Sequence, residues 1–574
     1  MTAGVTLGLS MQTPVVAILL AAAGVCEAAE ILIERRYLHL PVARHGEMRT
    51  VHLLDGNEVV HYFRMPLASD KASPLYWTSI DVGGMRGKKI AVKAQPPGPD
   101  LDLTGLCEQS DSVRRPPDLY REPYRPQFHF SAATGWINDP NGLVHFDGEY
   151  HLFYQHNPYG PGSANKSWGH AASRDLVQWT DFGDVLLPDR LGEIYSGSAV
   201  ADLKNTSGFQ AGSIAPLVVF YTSAGAHAPE KLPFTQSMAY STDRGRTWRK
   251  YDRNPVVGHI ENTNRDPKVF WHGPSSQWIM VLYLARGKFV LMGSKNLREW
   301  QRLSDVEFPD GYECPDLFEL SVGGDRGKAR WVMWEAGGRY MIGRFDGTRF
   351  TPETGVLPSE WGLHCYAGQT WNDAPDGRRI FIGWMRANSA ANVAAPVYPD
   401  MPFNQQMTFP REFSLRNTAD GVRLFARPAR EVAGLYGKQH RFSDVMLGTG
   451  HDPLAGIVGE LFDIEATVEA RSAKAVKLEI RGVPLVYDAA EGNLSCLGKS
   501  VRVAPAGGRL ELRALVDRTS LEIFAEDGRY EMSFCFKPDK DNRKLALTAE
   551  GGAAIAKSLV VRELKPALPR VGVP

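Results

Sequence analysis

The sequence predicts an all-β protein, with a five-bladed β-propeller, a C-terminal β-sandwich behind it and a small additional β-sandwich-like domain at the N-terminus. Helix-period segments are scarce, and most of the chain consists of short apolar or alternating runs separated by Gly, Asp, Asn and Pro, which is typical of strands and turns. Two sequence elements recur in the middle of the chain, and the rhythm of the strands changes on either side of them.

The first recurring element is an apolar strand that ends in an aromatic residue, and it occurs five times, at Tyr154, Tyr221, Tyr283, Trp334 and Trp384. The second is a polar turn followed by an aromatic residue, and it comes after each of the first four strands, as in Ser173-Arg174-Asp175-Leu176 before Trp179. Five units of several strands each indicate a propeller. The alternative is a plain sandwich with a coincidental rhythm, which two interleaved repeats in one order disfavour.

The changes of rhythm give the expected domain boundaries. Residues 1–29 form a signal peptide, 30–100 an N-terminal β-domain, 101–124 a polar linker, 125–415 the propeller, 416–435 a second linker and 436–574 the C-terminal sandwich. The signal peptide is predicted from an apolar run, Pro14 to Val25, that is too short to span a bilayer comfortably and leads to small residues at Ala28 and Ala29. Its n-region lacks Lys and Arg. We therefore expect a secreted or periplasmic protein.

Composition excludes several classes of partner. Lys and Arg together number 65, as do Asp and Glu, so the chain has no net charge to attract nucleic acid or a membrane surface. The six Cys show no paired spacing, no cluster has convincing metal-ligand spacing and no glycine-rich phosphate loop follows a strand. We expect no cofactor and no metal, and a neutral or small substrate. The oligomeric state is open.

The repeats select a few acids from the 65. The innermost strand of each blade should precede its aromatic strand, so the residues 15 to 25 positions before each repeated aromatic should line one central channel. The segments singled out near these positions are 138–139, 195–198, 265–267, 312–316 and 364–367, and three of the five carry a carboxylate. The acids selected from them are Asp139, Asp266 and Glu313. Glycoside hydrolysis needs two carboxylates that flank the bond, one ionised and one protonated, and a third can keep a proton on its neighbour.

The surroundings of these acids resemble glycoside hydrolase family 32, the invertases, inulinases and levanases. The stretch Trp136-Ile137-Asn138-Asp139-Pro140-Asn141-Gly142 resembles the start of its catalytic domain, and residues 515–524 resemble a strand pair of its C-terminal domain. The resemblance, which covers about residues 125–565, implies that Asp139 is the nucleophile, that Glu313 of the Glu-Cys motif is the general acid/base and that Asp266 of the Arg-Asp-Pro motif stabilises the transition state.

The same resemblance implies substrate-binding roles at seven matching positions, Asn138, Gln155, Trp168, Ser196, Arg265, Tyr366 and Trp384. Each prediction has a simpler alternative: Asp139 as a turn former, Asp266 as the partner of Arg265, and the tryptophans as core residues. Asp316 is a rival acid to Glu313, but three positions along a strand it should face away from the channel. We expect Cys314 to be a packed small residue.

The expected activity is that of a retaining hydrolase releasing terminal β-D-fructofuranosyl units from fructans or sucrose. A fructosyltransferase would use the same residues, an inverting arabinan-type hydrolase would place its carboxyls farther apart, and a fructan-binding protein would lack turnover. Levan, inulin and sucrose are not distinguished by the sequence, nor are exo and endo action, although a funnel closed at its base favours exo.

Overall fold

The computed structural model describes residues 28–96, 101–228, 230–387, 398–448, 451–539 and 541–572. The predicted signal peptide therefore lies almost wholly outside the described residues. The predicted all-β fold class is confirmed, since strands dominate and the sheets group as expected. Within the described ranges, helices are too short or too polar to cross a membrane.

The chain divides into two compact units, and the first comprises the residues up to 74 together with 79–114. Its four-stranded sheet contains, in spatial order, Ala29–Leu32, Lys89–Gln95, Met48–Asp55 and Glu58–Pro66. A three-stranded sheet contains Tyr76–Asp81, Tyr37–Val42 and Glu108–Ser110. Short helical turns occupy Gly83–Met85 and Leu103–Leu106, the latter capped by Asp102, which accepts a hydrogen bond from Gly105 N.

The predicted linker at 101–124 is wrong in its first half. Glu108–Ser110 pairs antiparallel with Tyr37–His39, and the first unit extends to Arg114. The segment is polar because it forms an edge strand only three residues long, and a polar edge strand has the same composition as a linker.

The second unit, 75–78 and 115–574, contains the propeller and the C-terminal sandwich. Each blade is an antiparallel sheet whose first strand is innermost, and the repeated aromatics lie on the second strands. Blade one contains Gly135–Phe146, Glu149–Asn157, Ser167–Ser173 and Trp179–Leu186, and blade two contains Glu193–Ala201, Leu217–Ala224, Phe234–Ser241 and Arg249–Lys250. Blade three contains Arg265–His272, Gln277–Ala285, Lys288–Ser294 and Gln301–Glu307, and blade four contains Asp316–Val322, Asp325–Glu335, Arg339–Phe345 and Phe350–Pro352. Blade five contains Tyr366–Thr370, Arg379–Met385, Arg411–Thr418 and Gly421–Pro428.

Shorter elements complete the blades. Leu357–Pro358 and Gln406–Met407 pair with blades four and five, while Phe403–Asn404 and Arg570–Val571 run parallel to the inner and outer strands of blade one. The 3₁₀ turns are Gly225–His227, Pro375–Gly377, Arg430–Leu435 and Ala506–Gly508.

The second sequence repeat is a side-chain-capped turn between the third and fourth strands. Asp175 accepts hydrogen bonds from Val177 N and Gln178 N, and Asn296 and Asp346 accept equivalent pairs from amides two and three residues ahead. The blade-two turn is one residue longer, and Asp243 accepts from Arg246 N and Thr247 N, three and four residues ahead. Each turn requires a short polar side chain that caps the backbone N–H groups just ahead of it, so the repeat has a structural cause.

Buried polar contacts tie the innermost strands together along the channel. Asn372 donates from Nδ2 to Ala199 O and Val269 O, both at 2.8 Å. Lys268 Nζ lies 3.1 Å from Asp316 Oδ2, and both side chains are buried. Asp316 also accepts hydrogen bonds from the amide and hydroxyl of Thr370. These contacts place buried polar side chains across the channel.

The C-terminal sandwich packs a six-stranded sheet against a five-stranded one around an apolar core. The first contains Tyr436–Leu447, Ala554–Leu564, Phe462–Glu469, Arg509–Val516, Ser520–Ala525 and Tyr530–Cys535; the second contains Lys499–Arg502, Asn493–Cys496, Val483–Asp488, Ala475–Ile480 and Leu545–Glu550. The predicted linker at 416–435 is wrong: Arg411–Thr418 and Gly421–Pro428 form a hairpin of blade five, and Arg430–Leu435 is a 3₁₀ turn. Its polar residues reflect a half-exposed hairpin.

Buried charges join the sandwich to the propeller in what we call the interface cluster, made of His129, Glu360, Arg411, Asp517, Glu522 and Glu531. Asp517 accepts hydrogen bonds from three consecutive propeller amides, 127–129, and from His129 Nδ1 at 2.8 Å. Arg411 donates to Glu522, to Glu531 Oε2 at 2.6 Å and to Glu360 Oε2 at 3.2 Å. Asp517 and Glu522 belong to the stretch 515–524 noted in the sequence.

Candidate active site

The three acids selected from the repeats lie at the same end of three blades. Asp139 is on the innermost strand of blade one, Asp266 on that of blade three, and Glu313 just precedes that of blade four. The Cys314 thiol lies 3.6 Å from Asp139 Oδ2 and 3.5 Å from Asp266 Oδ2. Arg265 Nη2 is 2.8 Å from Glu313 Oε2, and Arg265 Nε is 3.6 Å from Asp266 Oδ2. The structure thus brings the three carboxylates into one site.

A shared irregularity of the innermost strands directs these side chains inward. The strand pairing shifts register between Ile137 and Pro140 in blade one and between Arg265 and Lys268 in blade three. Similar shifts occur at 195–197 and 366–369. Bulges re-aim side chains and end regular pairing, which is why they are common beside active sites. Asp266 also has a positive φ of 64°, which Asp tolerates better than most residues.

Asp139 is held by neutral donors on both oxygens. Asn138 Nδ2 donates to Oδ1 at 3.1 Å, and the Ser196 hydroxyl donates to Oδ2 at 2.5 Å. Burial and the nearby Glu313 raise the pKa of Asp139, while Ser196, Asn138 and Lys166 oppose the rise. The two hydrogen bonds favour the ionised form and fix the direction of its oxygens.

Asp266 is buried and receives fewer donors. The Cys314 amide donates to its Oδ2 at 3.1 Å, and its own amide donates to Thr222 Oγ1 at 2.8 Å. Burial, with Glu313 and Asp139 as like charges, raises the pKa of Asp266 to about 7 against the pull of Arg265. The site therefore retains a proton near neutral pH, which an acid catalyst needs.

Glu313 is anchored by two residues from the predicted set. Tyr366 donates its hydroxyl to Oε1 at 2.7 Å, and Arg265 donates from Nε and Nη2 to Oε2. Arg265 in turn contacts two adjacent aromatic rings, with its guanidinium carbon 4.6 Å from the Tyr283 centroid and 5.6 Å from that of Tyr312. Glu313 is thus held at one place while part of its side chain stays exposed.

The other predicted binding residues differ in their access to the site. Gln155 links Asn138 to Ser196, accepting at 2.9 Å and donating at 2.5 Å. Trp384 packs edge-on against Trp136 and Tyr366. Trp168 is fully buried between blades one and two, and its indole N–H donates to Tyr195 O at 3.1 Å. Direct contact of Trp168 with a sugar is therefore not supported, because its side chain has no free surface.

Asp316 and the second amide of the motif have structural positions. Asp316 pairs with Lys268 inside the channel, so the prediction that it faces away from the channel is wrong. Strand alternation does not relate it to Glu313, because Glu313 precedes the strand and Cys314 between them has a positive φ of 50°. Asn141 is fully buried and accepts from Gly197 N at 3.1 Å, which ties blade one to blade two. A Cβ at Gly197 would overlap the Phe220 carbonyl oxygen, so glycine is needed where this strand approaches its neighbour.

Sequence reasoning missed four residues that surround the acids. Lys166 and Trp136 donate to Asn138, and Tyr283 and Tyr312 flank Arg265. Trp136 stands in the motif itself, and Tyr283 is one of the repeated aromatics, so both carried a signal that could have found them. Lys166 and Tyr312 sit in loops, where composition gives no indication of direction.

Comparisons with known proteins decide the family. The glycosyl hydrolases family 32 N-terminal domain matches residues 129–428, and the family 32 C-terminal domain matches 431–563. The chain belongs to glycosyl hydrolase family 32. It is a glycoside hydrolase of the β-fructofuranosidase type, and the fold of its catalytic part is the predicted propeller with its sandwich.

Individual relatives cover most of the chain. A levanase from Bacillus subtilis is 36% identical over 491 residues, which are 78% of this chain and 71% of the levanase. An extracellular exo-inulinase from Aspergillus ficuum is 32% identical over 76% of this chain and 93% of its own. The crystal structure of exo-inulinase from Aspergillus awamori matches with a TM-score of 0.70 at 29% identity, covering 78% of this chain and 99% of that one.

Proposed function

We propose that this family 32 enzyme is an exo-acting, retaining β-fructofuranosidase that releases fructose from the ends of fructans and from sucrose. The observation that carries the proposal is the convergence of Asp139, Asp266 and Glu313 around Cys314 and Arg265, with different donors on each acid. The similarity to a levanase and an exo-inulinase supports fructans as the substrate class.

In the first step, the Asp139 carboxylate attacks C2 of the terminal fructosyl unit while Glu313 gives a proton to the departing glycosidic oxygen. A covalent fructosyl ester forms and the shortened chain or glucose leaves. In the second step, Glu313 removes a proton from water, which attacks C2 and frees Asp139. The configuration at C2 is retained because it inverts twice.

The remaining residues have supporting roles in this proposal. Asp266, whose pKa is raised to about 7, stabilises the oxocarbenium-like transition state in its ionised form. Arg265 and Tyr366 hold Glu313, and Asn138, Gln155 and Ser196 hold Asp139. Trp384 packs edge-on against the fully buried Trp136 and keeps a small exposed surface, so we place its ring beside the C–H face of the furanose.

One observation supports hydrolysis from chain ends, and another supports secretion of the enzyme. Buried contacts of Asn372, Lys268 and Asp316 cross the channel below the site, so we place only a terminal unit at Asp139. Export is supported by the apolar N-terminal run and by relatives named as extracellular exo-inulinases.

Product analysis on inulin, levan and sucrose with purified protein tests this function. We expect fructose as the sole early product of each polymer, and the faster polymer identifies the preferred linkage. Early oligosaccharides would contradict exo action, and transfer products at low substrate concentration would indicate a fructosyltransferase. Release of nothing from all three substrates would reject the function.

A further inference from the structure

Lys166 lies beside the proposed nucleophile, just before the third strand of blade one. Its Nζ is 2.6 Å from Asn138 Oδ1 and 2.9 Å from Ser163 Oγ, and 5.9 Å from the centre of the Trp136 ring. The preceding residue, Asn165, is buried with a positive φ of 46°, so a defined loop turn directs the lysine inward. Neither the sequence motifs nor the mechanism above assigns it a role.

Lys166 helps decide which way the Asn138 amide points. An ammonium and an indole N–H are donors only, so the Asn138 atom that faces Lys166 and Trp136 must be the oxygen. The Asn138 nitrogen is thereby turned towards Asp139 Oδ1 and Gln155 Oε1.

The orientation then propagates around a closed ring of hydrogen bonds. Because the Gln155 oxygen accepts from Asn138, the Gln155 nitrogen donates to Ser196 Oγ. The Ser196 hydroxyl must therefore direct its hydrogen to Asp139 Oδ2. Each Asp139 oxygen receives one donor as a consequence of the Asn138 orientation, and a flipped Asn138 would present its own oxygen to the carboxylate.

Positive charge in the site is distributed over two sides. Arg265 lies against Glu313 and Asp266, whereas Lys166 lies against the Asn138 amide that holds Asp139. The Lys166 charge lowers the pKa of Asp139, and Ser196 and Asn138 act in the same direction, while burial and Glu313 raise it.

Other groups also face Lys166 and the carboxylate it serves. Burial lowers the pKa of Lys166 to about 8, while Asp139, Glu193 and Glu313 raise it. The Cys314 thiol contacts Asp139, and burial together with the neighbouring acids raises the pKa of that thiol well above its ordinary value. Lys166 and the acids therefore depend on one another for their charge states.

We propose that Lys166 is a positioning residue for hydrolysis, which fixes the Asn138 amide and thereby keeps the Asp139 carboxylate ionised and correctly directed. The proposal rests on the proposed role of Asp139 as nucleophile. It assigns to Lys166 an effect on the rate of reaction and on the acidic side of the pH profile.

Two substitutions separate the hydrogen bond from the charge. Lys166→Met removes both at similar side-chain length, and Lys166→Gln keeps an N–H donor for Asn138 without the charge. Lys250→Met is the matched control, because Lys250 is another largely buried lysine that pairs with an acid, Asp189 at 2.7 Å, on the outer strand of blade two. The measurements are kcat and KM for a fructan from pH 4 to 9, with thermal unfolding of each protein.

For Lys166→Met we expect kcat to fall about tenfold to a hundredfold, as for loss of a charged hydrogen-bond partner, and the acidic limb of kcat/KM to move to higher pH. Lys166→Gln should show the same displacement of the limb with a smaller loss of kcat at the optimum. Lys250→Met should keep the wild-type kcat and pH profile.

Several results would overturn the proposal. An active wild type whose Lys166→Met and Lys166→Gln variants keep the wild-type acidic limb rejects it and leaves the proposed function intact. A rise in KM alone would make Lys166 a substrate contact instead. If Lys166→Met does not fold, Lys166→Gln decides by the position of the limb. A wild type inactive on every fructoside rejects both the function and this role.

Discussion

The active site and the interface cluster both bury several carboxylates, yet the pKa values of Asp139 and Asp266 in the site are raised while those of Asp517 and Glu522 in the cluster are lowered. In the site, burial and neighbouring acids raise the pKa of Asp139 and bring that of Asp266 to about 7. In the interface cluster, burial acts against ionisation just as strongly, but Arg411 and His129 lower the pKa of Glu522 to about 2. Burial is common to both, so it cannot explain the difference.

The number and charge of the hydrogen-bond donors explain why the pKa values of these carboxylates differ between the two clusters. Glu522 accepts hydrogen bonds from Arg411, from His129 Nε2 and from Phe409 N, and Asp517 accepts from a series of backbone amides as well as from His129. Asp139 has two neutral donors and a thiol. Donors that converge on a carboxylate stabilise its charged form, and their scarcity leaves burial dominant. Asp517 and Glu522 therefore hold fixed charge, and the site holds a proton that can be moved.

The largest effect should follow from removing the nucleophile. Asp139→Asn keeps the shape and can still accept from Ser196, so we expect the fold to persist while kcat falls by at least about 10⁴-fold, as for other lost nucleophiles. Activity assays and thermal unfolding of the same preparation check this. Substantial turnover by a folded Asp139→Asn enzyme would disprove the assignment of the nucleophile.

The interface cluster should show the opposite response. Arg411→Leu leaves buried carboxylates without their main cation, and we expect the free energy of unfolding to fall by about 3–5 kcal/mol. Denaturant unfolding measures this, and kcat per folded molecule should stay close to that of the wild type. Arg427→Leu removes a half-exposed partner of Asp527 and should cost less than about 1 kcal/mol. Equal losses in the two variants would contradict the structural role of the cluster.

His129 should make the stability of the interface depend on pH. Burial would lower the pKa of His129, but Asp517 and Glu522 raise it from 6.5 to about 9. Because the folded-state pKa is above the unfolded value, the stabilisation is complete below pH 6.5 and disappears as the pH rises through 9. It amounts to at most about 3 kcal/mol.

Unfolding of the wild type and of His129→Gln at pH 6.5, 8 and 9.5 tests the sign. The difference in unfolding free energy between the two proteins should shrink towards high pH. His440→Gln, on the sandwich surface, is the control and should follow the wild type at each pH. A difference that grows with pH would mean that His129 is neutral in the folded protein.

The smallest effect is expected where the two clusters are most alike. Burial and Glu360 raise the pKa of Glu531 to about 7, against Arg411, a value close to that of Asp266. Glu531→Gln resembles the protonated acid and can still contact Ser359 and Arg411, so at pH 6 its unfolding free energy should change by less than about 1 kcal/mol, with kcat unchanged.

The matching change in the active site, Asp266→Asn, should instead lose at least about 100-fold in kcat. Similar kcat values for the two variants would remove the distinction between the clusters.

Much of the fold could be predicted because the propeller repeats. The five aromatics mark the second strand of each blade, and the four capped turns mark the end of the third strand in the first four blades. The innermost strands, with Asp139 and Asp266, lie a similar distance before the aromatics and could therefore be located. The linkers were mispredicted because no repeat marks their strands. Glu108–Ser110 is a short polar edge strand, and Gly421–Pro428 lies beyond the last repeated aromatic although it buries Leu424, Phe425 and Ala426.

The site could be predicted only where residues belong to motifs or strands. Tyr366 and Arg265 hold Glu313 as part of innermost strands, so their positions follow from the blade register. Lys166 approaches Asn138 from a loop, and Arg411 meets Glu522 across more than a hundred residues of chain. Such contacts depend on how separate domains and loops pack, which local pattern does not encode. For Trp168 the prediction failed in the opposite way: its motif position suggested a ligand contact, but packing between blades one and two buries its side chain.

The most direct test of the account is to trap the covalent intermediate and locate it. A Glu313→Gln variant, reacted with an activated fructoside whose leaving group needs no protonation, should accumulate the fructosyl-enzyme because no base activates water. Acid quenching, peptic digestion and mass spectrometry should find one anhydrofructose increment on the peptide that contains Asp139. An increment on Asp266 or another residue, or an unlabelled enzyme whose first product has inverted configuration at C2, would contradict the mechanism.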